Sequence, residues 1–155
     1  MNPFRIVVES PVGPFAVAGS DRGISSAGFD PENGPLVSTP FSARVQSELE
    51  AYFAGNLKQF SVPVDLRGTE FQRKVWHYLM EIPYGATRHY GEAANSLGDK
   101  NLARAVGAAC GQNPVPIFVP CHRIFGKDGN LVGFLGGIER KRFLLALESN
   151  QSSLF

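Results

Sequence analysis

Cysteine is scarce in this 155-residue chain: Cys110 and Cys121 stand alone, beside three histidines. Two cysteines make no disulfide scaffold, and with so few histidines they make no zinc site. A reduced, intracellular protein is the expectation. Long apolar runs are also missing. The longest stretch without an ionisable side chain other than cysteine, Ala105 to Cys121, contains Gly107, Gly111, Gln112, Asn113, Pro114, Pro116 and Pro120, which excludes a membrane span. Arg5 and Glu9 interrupt the short apolar run at the N-terminus, so no signal peptide is read there. Neither sign of charge dominates: the net charge is +1, with 19% charged and 43% hydrophobic residues. That composition excludes disorder and coiled coil. There is no internal repeat and no low-complexity tract. The charge is unevenly spread, however. Residues 1–67 carry five Lys/Arg against seven Asp/Glu, and residues 68–155 carry ten against seven. A basic second half is compatible with nucleic-acid contact there.

What is present divides into two textures. In the first, Phe4 to Glu9 and Phe15 to Ala18 are β-prone runs separated by the turn cluster Ser10 to Pro14. A turn at Asp21-Arg22-Gly23 leads to a third strand, Ile24 to Phe29. Phe41, Val45, Leu49, Tyr52 and Phe53 recur at helical spacing until Gly55-Asn56. Ser61 to Leu66 is a short extended piece, and Arg67-Gly68 marks a boundary between domains 1–67 and 68–155. The second half is mostly helical. Thr69 caps a helix with Phe71, Val75, Trp76, Leu79 and Met80 on its apolar face, stopped by Pro83-Tyr84-Gly85. Short helices over Gly91 to Leu97 and Leu102 to about Cys110, joined at Gly98-Asp99-Lys100, make a helix-turn-helix pattern. A last helix runs from about Ile138 to Glu148 after Gly136-Gly137.

Chemistry concentrates in Asn113-Pro114-Val115-Pro116-Ile117-Phe118-Val119-Pro120-Cys121-His122-Arg123. Its three prolines fix φ and hold the chain stiff up to the cysteine, as a positioned nucleophile requires. An imidazole nearby shifts a thiol toward thiolate. Adjacent side chains of an extended chain point opposite ways. A direct Cys121–His122 dyad therefore needs a turn, and a bridging water is the easier geometry. On the preceding helix, Arg104, Gly107, Ala108 and Gly111 share a face, and all but the arginine are tiny. A helix is about 10–12 Å across and the DNA minor groove about 6 Å wide, so only such a stripped face approaches the groove floor. Close helix–helix packing would use the same face.

The Asn113 to Arg123 stretch resembles the active-site signature of the O6-alkylguanine-DNA alkyltransferases. Gly68 to Trp76, Ile82 to Gly85, Ala103 to Gly107, and Gly136-Gly137 through Leu144 to Glu148 resemble that family in order and spacing. The first half resembles its bacterial members more loosely. The resemblance implies an α+β fold: an N-terminal antiparallel three-stranded sheet with a helix, RNase H-like, then a helical winged helix-turn-helix-like domain. It also implies single-use repair without a cofactor or a metal, the thiolate of Cys121 taking the alkyl group from guanine O6 in double-stranded DNA. A water would link Cys121 to His122, and Glu148 would orient the imidazole. Arg104 would fill the gap left by the flipped nucleotide, with Gly107 and Ala108 against the minor groove. Tyr90 would crowd the phosphate of that nucleotide and bond its guanine.

Asn113 matches the hinge before the active-site loop. The guanine strip matches Val132 to Gly136, and the carbonyls of Cys121 and Ile124 would accept from the exocyclic amine. Trp76 is read as core. Four positions depart from the family pattern. Phe134 stands for a frequent Tyr and Leu135 for a small residue, His89 replaces a capping Ser, and Cys110 replaces a larger apolar residue over the base. The rival readings are a module that binds alkylated DNA without repairing it, a helix-turn-helix regulator and a cysteine hydrolase. The retained Cys121 argues against the first, and no sensor or dimerisation segment is visible for the second. A hydrolase needs its imidazole in direct contact with the thiol. A cytoplasmic, nucleoid-associated monomer off the membrane is expected.

Overall fold

Phe4, Ile6 and Val8 are buried while Arg5 and Val7 are partly exposed, and this alternation makes a half-buried strand, β1 (Phe4–Val8). The computed structural model describes residues 2–126 and 136–149. Strand β2 (Phe15–Ser20) pairs antiparallel with β1, Ile6 opposite Val17, and β3 (Gly23–Phe29) pairs antiparallel with β2 in the order β1-β2-β3. The register shifts between Ala18 and Gly19. Gly19 has to be glycine there, since a Cβ would lie 2.3 Å from the Gly23 carbonyl oxygen.

Helix α1 (Pro40–Phe53) is started by a capping box. Thr39 Oγ1 accepts from the Ser42 amide at 3.1 Å, Ser42 Oγ accepts from the Thr39 amide at 2.8 Å, and Pro40 supplies a φ suited to the first turn. The helix buries Val45, Leu49, Tyr52 and Phe53, and Phe15 meets Phe53 edge-on at 6.2 Å. Both sheet edges are partly covered. Arg5 exchanges two 2.9 Å backbone bonds with Val37, and the extended piece near Val64 runs parallel to Ile24. Edges covered in this way resist pairing with other chains.

The chain divides into two compact units, Met1–Leu66 and Arg67–Phe155. In the second, Thr69 and Gln72 form the capping box of α2 (Glu70–Met80). The Trp76 ring is buried, with Nε1 donating to the Ala109 carbonyl at 2.8 Å, so Trp76 is core and ties α2 to the later helix that carries Ala109. A two-residue strand, β4 (Arg88–His89), leads into α3 (Tyr90–Ser96). His89 leaves its amide to the Glu92 carboxylate at 2.9 Å, while its Nδ1 lies 3.3 Å from the Gly126 carbonyl oxygen. Asp99 caps a 3₁₀ turn, Lys100–Leu102, that feeds α4 (Ala103–Gly111). The sequence expectation of a helix from Leu102 is therefore shifted by one residue, because a 3₁₀ turn takes up the start. β4 pairs parallel with β5 (Ile124–Phe125), a contact too short for sequence alternation to signal. Helix α5 (Ile138–Ser149) closes the described chain. Among the described residues, no helix is long and apolar enough to cross a membrane.

Candidate active site

Asn113 fastens the loop after α4 from within. Its Oδ1 accepts from the Val115 amide at 3.0 Å, an Asx turn, and its Nδ2 donates to the Val119 carbonyl at 2.8 Å. Val119 N–H closes back on the Val115 carbonyl at 3.0 Å. Ile117 follows Pro116 with φ +76°, a conformation that β-branched residues rarely adopt. Its side chain is buried, and packing of that kind is what holds a strained residue in place. Pro120 (φ −79°, ψ 68°) is the centre of an inverse γ-turn, in which the Cys121 amide donates to the Val119 carbonyl at 2.8 Å. Cys121–Arg123 then forms one turn of 3₁₀ helix. Cys121 and His122 therefore stand on a turn and not on the extended chain that sets adjacent side chains on opposite sides.

The turn delivers three buried side chains. His122 is 0% exposed, and its Nε2 lies 2.7 Å from Glu148 Oε2. Arg123 Nε donates to Glu148 Oε1 at 2.8 Å and its Nη2 to Oε2 at 3.0 Å, while Nη1 donates to the Ile82 carbonyl at 2.7 Å. Glu148 is 1% exposed. Burial alone would raise its pKa, but the bonds and charges of His122 and then Arg123 outweigh this and hold the carboxyl well below the usual range. Burial lowers the His122 pKa against the pull of Glu148. Burial pushes the Cys121 thiol, 4% exposed, up to about 11. An Asn113 hydrogen bond and the charge of Lys141 act in the opposite direction. The buried thiol thus holds its proton, next in sequence to an imidazole whose Nε2 is fixed by a carboxylate. This arrangement suits a nucleophile activated through a base that is itself oriented by a third group.

Tyr90 is partly buried, and burial pushes its phenol up to about 12, with smaller contributions from Cys110 and Cys121. Cys110 is buried at the end of α4 and its thiol is likewise pushed up to about 12. On α4 the buried residues are Val106, Ala109 and Cys110, whereas Arg104 and Ala108 are exposed and Gly107 and Gly111 partly so. The small face is therefore not the one packed into the core. A Cβ on Gly107 would lie 3.7 Å from the Tyr90 ring, and one on Gly111 would meet nothing within 4 Å. The Ile124 carbonyl accepts from Lys141 Nζ at 2.7 Å; a carbonyl oxygen has a second lone pair for a further donor. Phe134, Leu135 and the rest of the strip from Val132 lie outside the described residues, apart from Gly136 at its end.

Sequence reasoning passed over Arg123, Tyr84 and Lys141. Arg123 carries two of the bonds to Glu148 and lies 5.8 Å over the Tyr84 ring. Lys141 sits in the run Arg140-Lys141-Arg142, which looks like a solvated face, yet it is 1% exposed. Its spacing of three from Leu144 and seven from Glu148 was the available signal, since those positions share one helical face. Among the described residues, no group of three His, Cys, Asp or Glu side chains could hold a metal ion.

Residues 70–150 match the family described as 6-O-methylguanine DNA methyltransferase, DNA binding domain, and residues 4–66 match the ribonuclease-like domain of the same family. A methylated-DNA–protein-cysteine methyltransferase of Mycobacterium tuberculosis is 46% identical over 94% of this chain and 92% of its own. One from Methanosarcina acetivorans is 43% identical over 95% of this chain and 99% of its own. The crystal structure of M. tuberculosis OGT in complex with DNA superposes with a TM-score of 0.85 at 44% identity, covering 97% of this chain and 94% of that one.

Proposed function

The chain belongs to the 6-O-methylguanine DNA methyltransferase family, and on that premise we propose that it repairs O6-alkylguanine in DNA by transferring the alkyl group, once and irreversibly, to Cys121. The observation that carries this assignment is the buried 2.7 Å bond between His122 and Glu148, one residue from a thiol held at the start of a 3₁₀ turn. Sγ attacks the alkyl carbon, a C–S bond forms as the bond to O6 breaks, and the bonding pair leaves with guanine. The thiol proton passes to the His122 side and the guanine takes up one proton. The products are a thioether at Cys121 and an unmodified base. The protein has no means to reverse a thioether, so each molecule acts once.

A buried thiol reaches the O6 substituent only if the base leaves the stack. We assign Arg104 to the gap so formed, and the surface of α4 at the partly exposed Gly107 and the exposed Ala108 to the minor groove, where small side chains permit close approach. Tyr90, Asn113, Ile124, Cys110, Phe134 and Leu135 are assigned to the nucleotide pocket. A monomer suffices, because all of these residues come from one chain. An acceptor thiol must stay reduced, which fits the cytoplasm beside the nucleoid. The test is titration with duplex carrying labelled O6-methylguanine. One label per protein molecule is expected, with none on Cys121→Ser. Label on Cys121→Ser, or repeated turnover, would refute the assignment.

A further inference from the structure

Of the eight asparagines in the chain, Asn33 alone is followed by glycine. The pair lies in the loop between β3 and α1, flanked by Pro31 and Pro35, and both residues are exposed. Neither proline has a backbone donor, and the loop meets β1 only further on, where Val37 exchanges its bonds with Arg5. Among the described residues, nothing accepts from the Gly34 amide. The Arg5 side chain takes the carbonyls on either side of Asn33, donating to the Glu32 oxygen at 2.7 Å and to the Gly34 oxygen at 3.2 Å. Its guanidinium therefore stands beside the Asn33–Gly34 peptide. Asn33 also lines a cavity of about 380 Å³ over the small residues Ala16, Ala18, Ser26 and Gly28, which leaves its side chain room to turn. From this placement we propose that Asn33–Gly34 is a self-modification site: the chain converts its own asparagine to aspartate and isoaspartate, with water as co-reactant, and so releases the loop from Arg5.

The Gly34 amide gives its proton to solvent base, and the nitrogen attacks Cγ of the Asn33 side chain. A C–N bond forms, a five-membered succinimide closes, and the side-chain nitrogen leaves as ammonia after taking up the proton. Water then adds to one of the two ring carbonyls, the ring C–N bond at that carbon breaks, and the ring nitrogen recovers a proton. Opening on one side gives aspartate. Opening on the other gives isoaspartate, whose main chain runs through Cβ and Cγ. One water is consumed, one ammonia is released, and nothing is oxidised or reduced. Three features favour ring closure. Glycine sets no Cβ against the approaching side chain. The attacking nitrogen has no hydrogen bond to give up. The Arg5 charge beside the peptide favours the ionised amide. Asn95, followed by Ser96, is the contrast, because it lies within α3, where helical bonding engages the next amide. In the isoaspartate form the main chain gains a carbon between the two carbonyls that Arg5 grips, so the guanidinium loses its fit to both.

The experiment is to hold the folded full chain in ¹⁸O water at neutral to mildly alkaline pH and to map its peptides over time. Heavy oxygen should enter at position 33, divided between aspartate and isoaspartate. The rate should rise about tenfold per pH unit, because the ionised amide is the reactive form. Gly34→Ala is the control. Its backbone lies outside the left-handed region, and the added Cβ would meet Arg5 Nη1 at 3.7 Å, an ordinary contact, so the variant folds. It should react about tenfold more slowly or less, since the Cβ obstructs ring closure. The modified form, separated by its added negative charge, should exchange the Arg5 and Val37 amide protons about tenfold faster than the parent. Aspartate without isoaspartate would show direct hydrolysis and overturn the proposal. An Asn33 that survives as long as Asn95, or a Gly34→Ala chain modified as fast as the parent, would overturn it equally. Unchanged exchange at Arg5 and Val37 would overturn the release of the loop.

Discussion

Glu148→Gln removes the charge at the centre of the buried cluster while keeping its shape. The carboxylate accepts three bonds, from His122 at 2.7 Å and from Arg123 at 2.8 and 3.0 Å. Glutamine retains one acceptor oxygen and sets an NH₂ group against a donor. Removing one partner of a buried ion pair costs about 3–5 kcal/mol, because the remaining charge is left uncompensated. The retained oxygen argues for the lower end, about 3 kcal/mol, which is a large share of a total stability of roughly 5–15 kcal/mol. At about 2–4 °C per kcal/mol for a chain of this size, the melting temperature should fall by roughly 6–12 °C. The sign with pH follows from the depressed carboxyl. Its contribution is full above the ordinary carboxylate range and is lost as pH falls toward the folded value. The difference between the two proteins should therefore persist at mildly acid pH and shrink only in strong acid. Calorimetry across that range is the assay. A melting temperature within about 2 °C of the parent at neutral pH would refute the reasoning, since such a loss lies below the smallest effect expected of a broken buried pair.

Both thiols hold their protons in the folded protein, Cys121 up to about 11 and Cys110 up to about 12, above the ordinary value of 9.0. The unfolded chain releases protons first, so melting temperatures should fall as pH rises above about 9, and fall less steeply in Cys110→Ala. Gly68→Ala places a Cβ 2.6 Å from Gln72 Oε1 and 2.7 Å from Trp76 Cη2. With the indole fixed by its bond to Ala109, the variant should lose about 1–3 kcal/mol in denaturant unfolding. Arg104→Ala should slow repair of duplex more than of single-stranded substrate, as only the duplex needs a substitute for the flipped base. Gly107→Leu should weaken DNA binding by tenfold or more in a titration, since a side chain there meets the Tyr90 ring and fills the approach to the groove.

Much of this was legible in the residues. Beta-prone runs bounded by turn clusters place β1 to β3, and helical spacing places α1 and α2, because one-sided burial forces that period on a helix. Thr69 announces α2, and Asp99 the 3₁₀ turn before α4, through their own side-chain chemistry. The proline frame marks the loop that ends at Cys121. The inverse γ-turn at Pro120 and the positive φ of Ile117 were not legible, because tertiary packing imposes them and no local preference does. Strands β4 and β5 escape notice since two residues show no alternation. His122 and Glu148 were joined only through the family resemblance: nothing local links positions 26 residues apart. Lys141 was hidden by its charged neighbours, and what makes it legible in hindsight is its phase with Leu144 and Glu148.

The most direct measurement is the intact mass of the protein after incubation with excess duplex containing O6-methylguanine, followed by peptide mapping. A gain equal to one methylene, located on Cys121 and not exceeded however long the incubation runs, is the result expected. A gain at any other residue, or restored DNA without a change in protein mass, would contradict the assignment of Cys121 as a single-use acceptor.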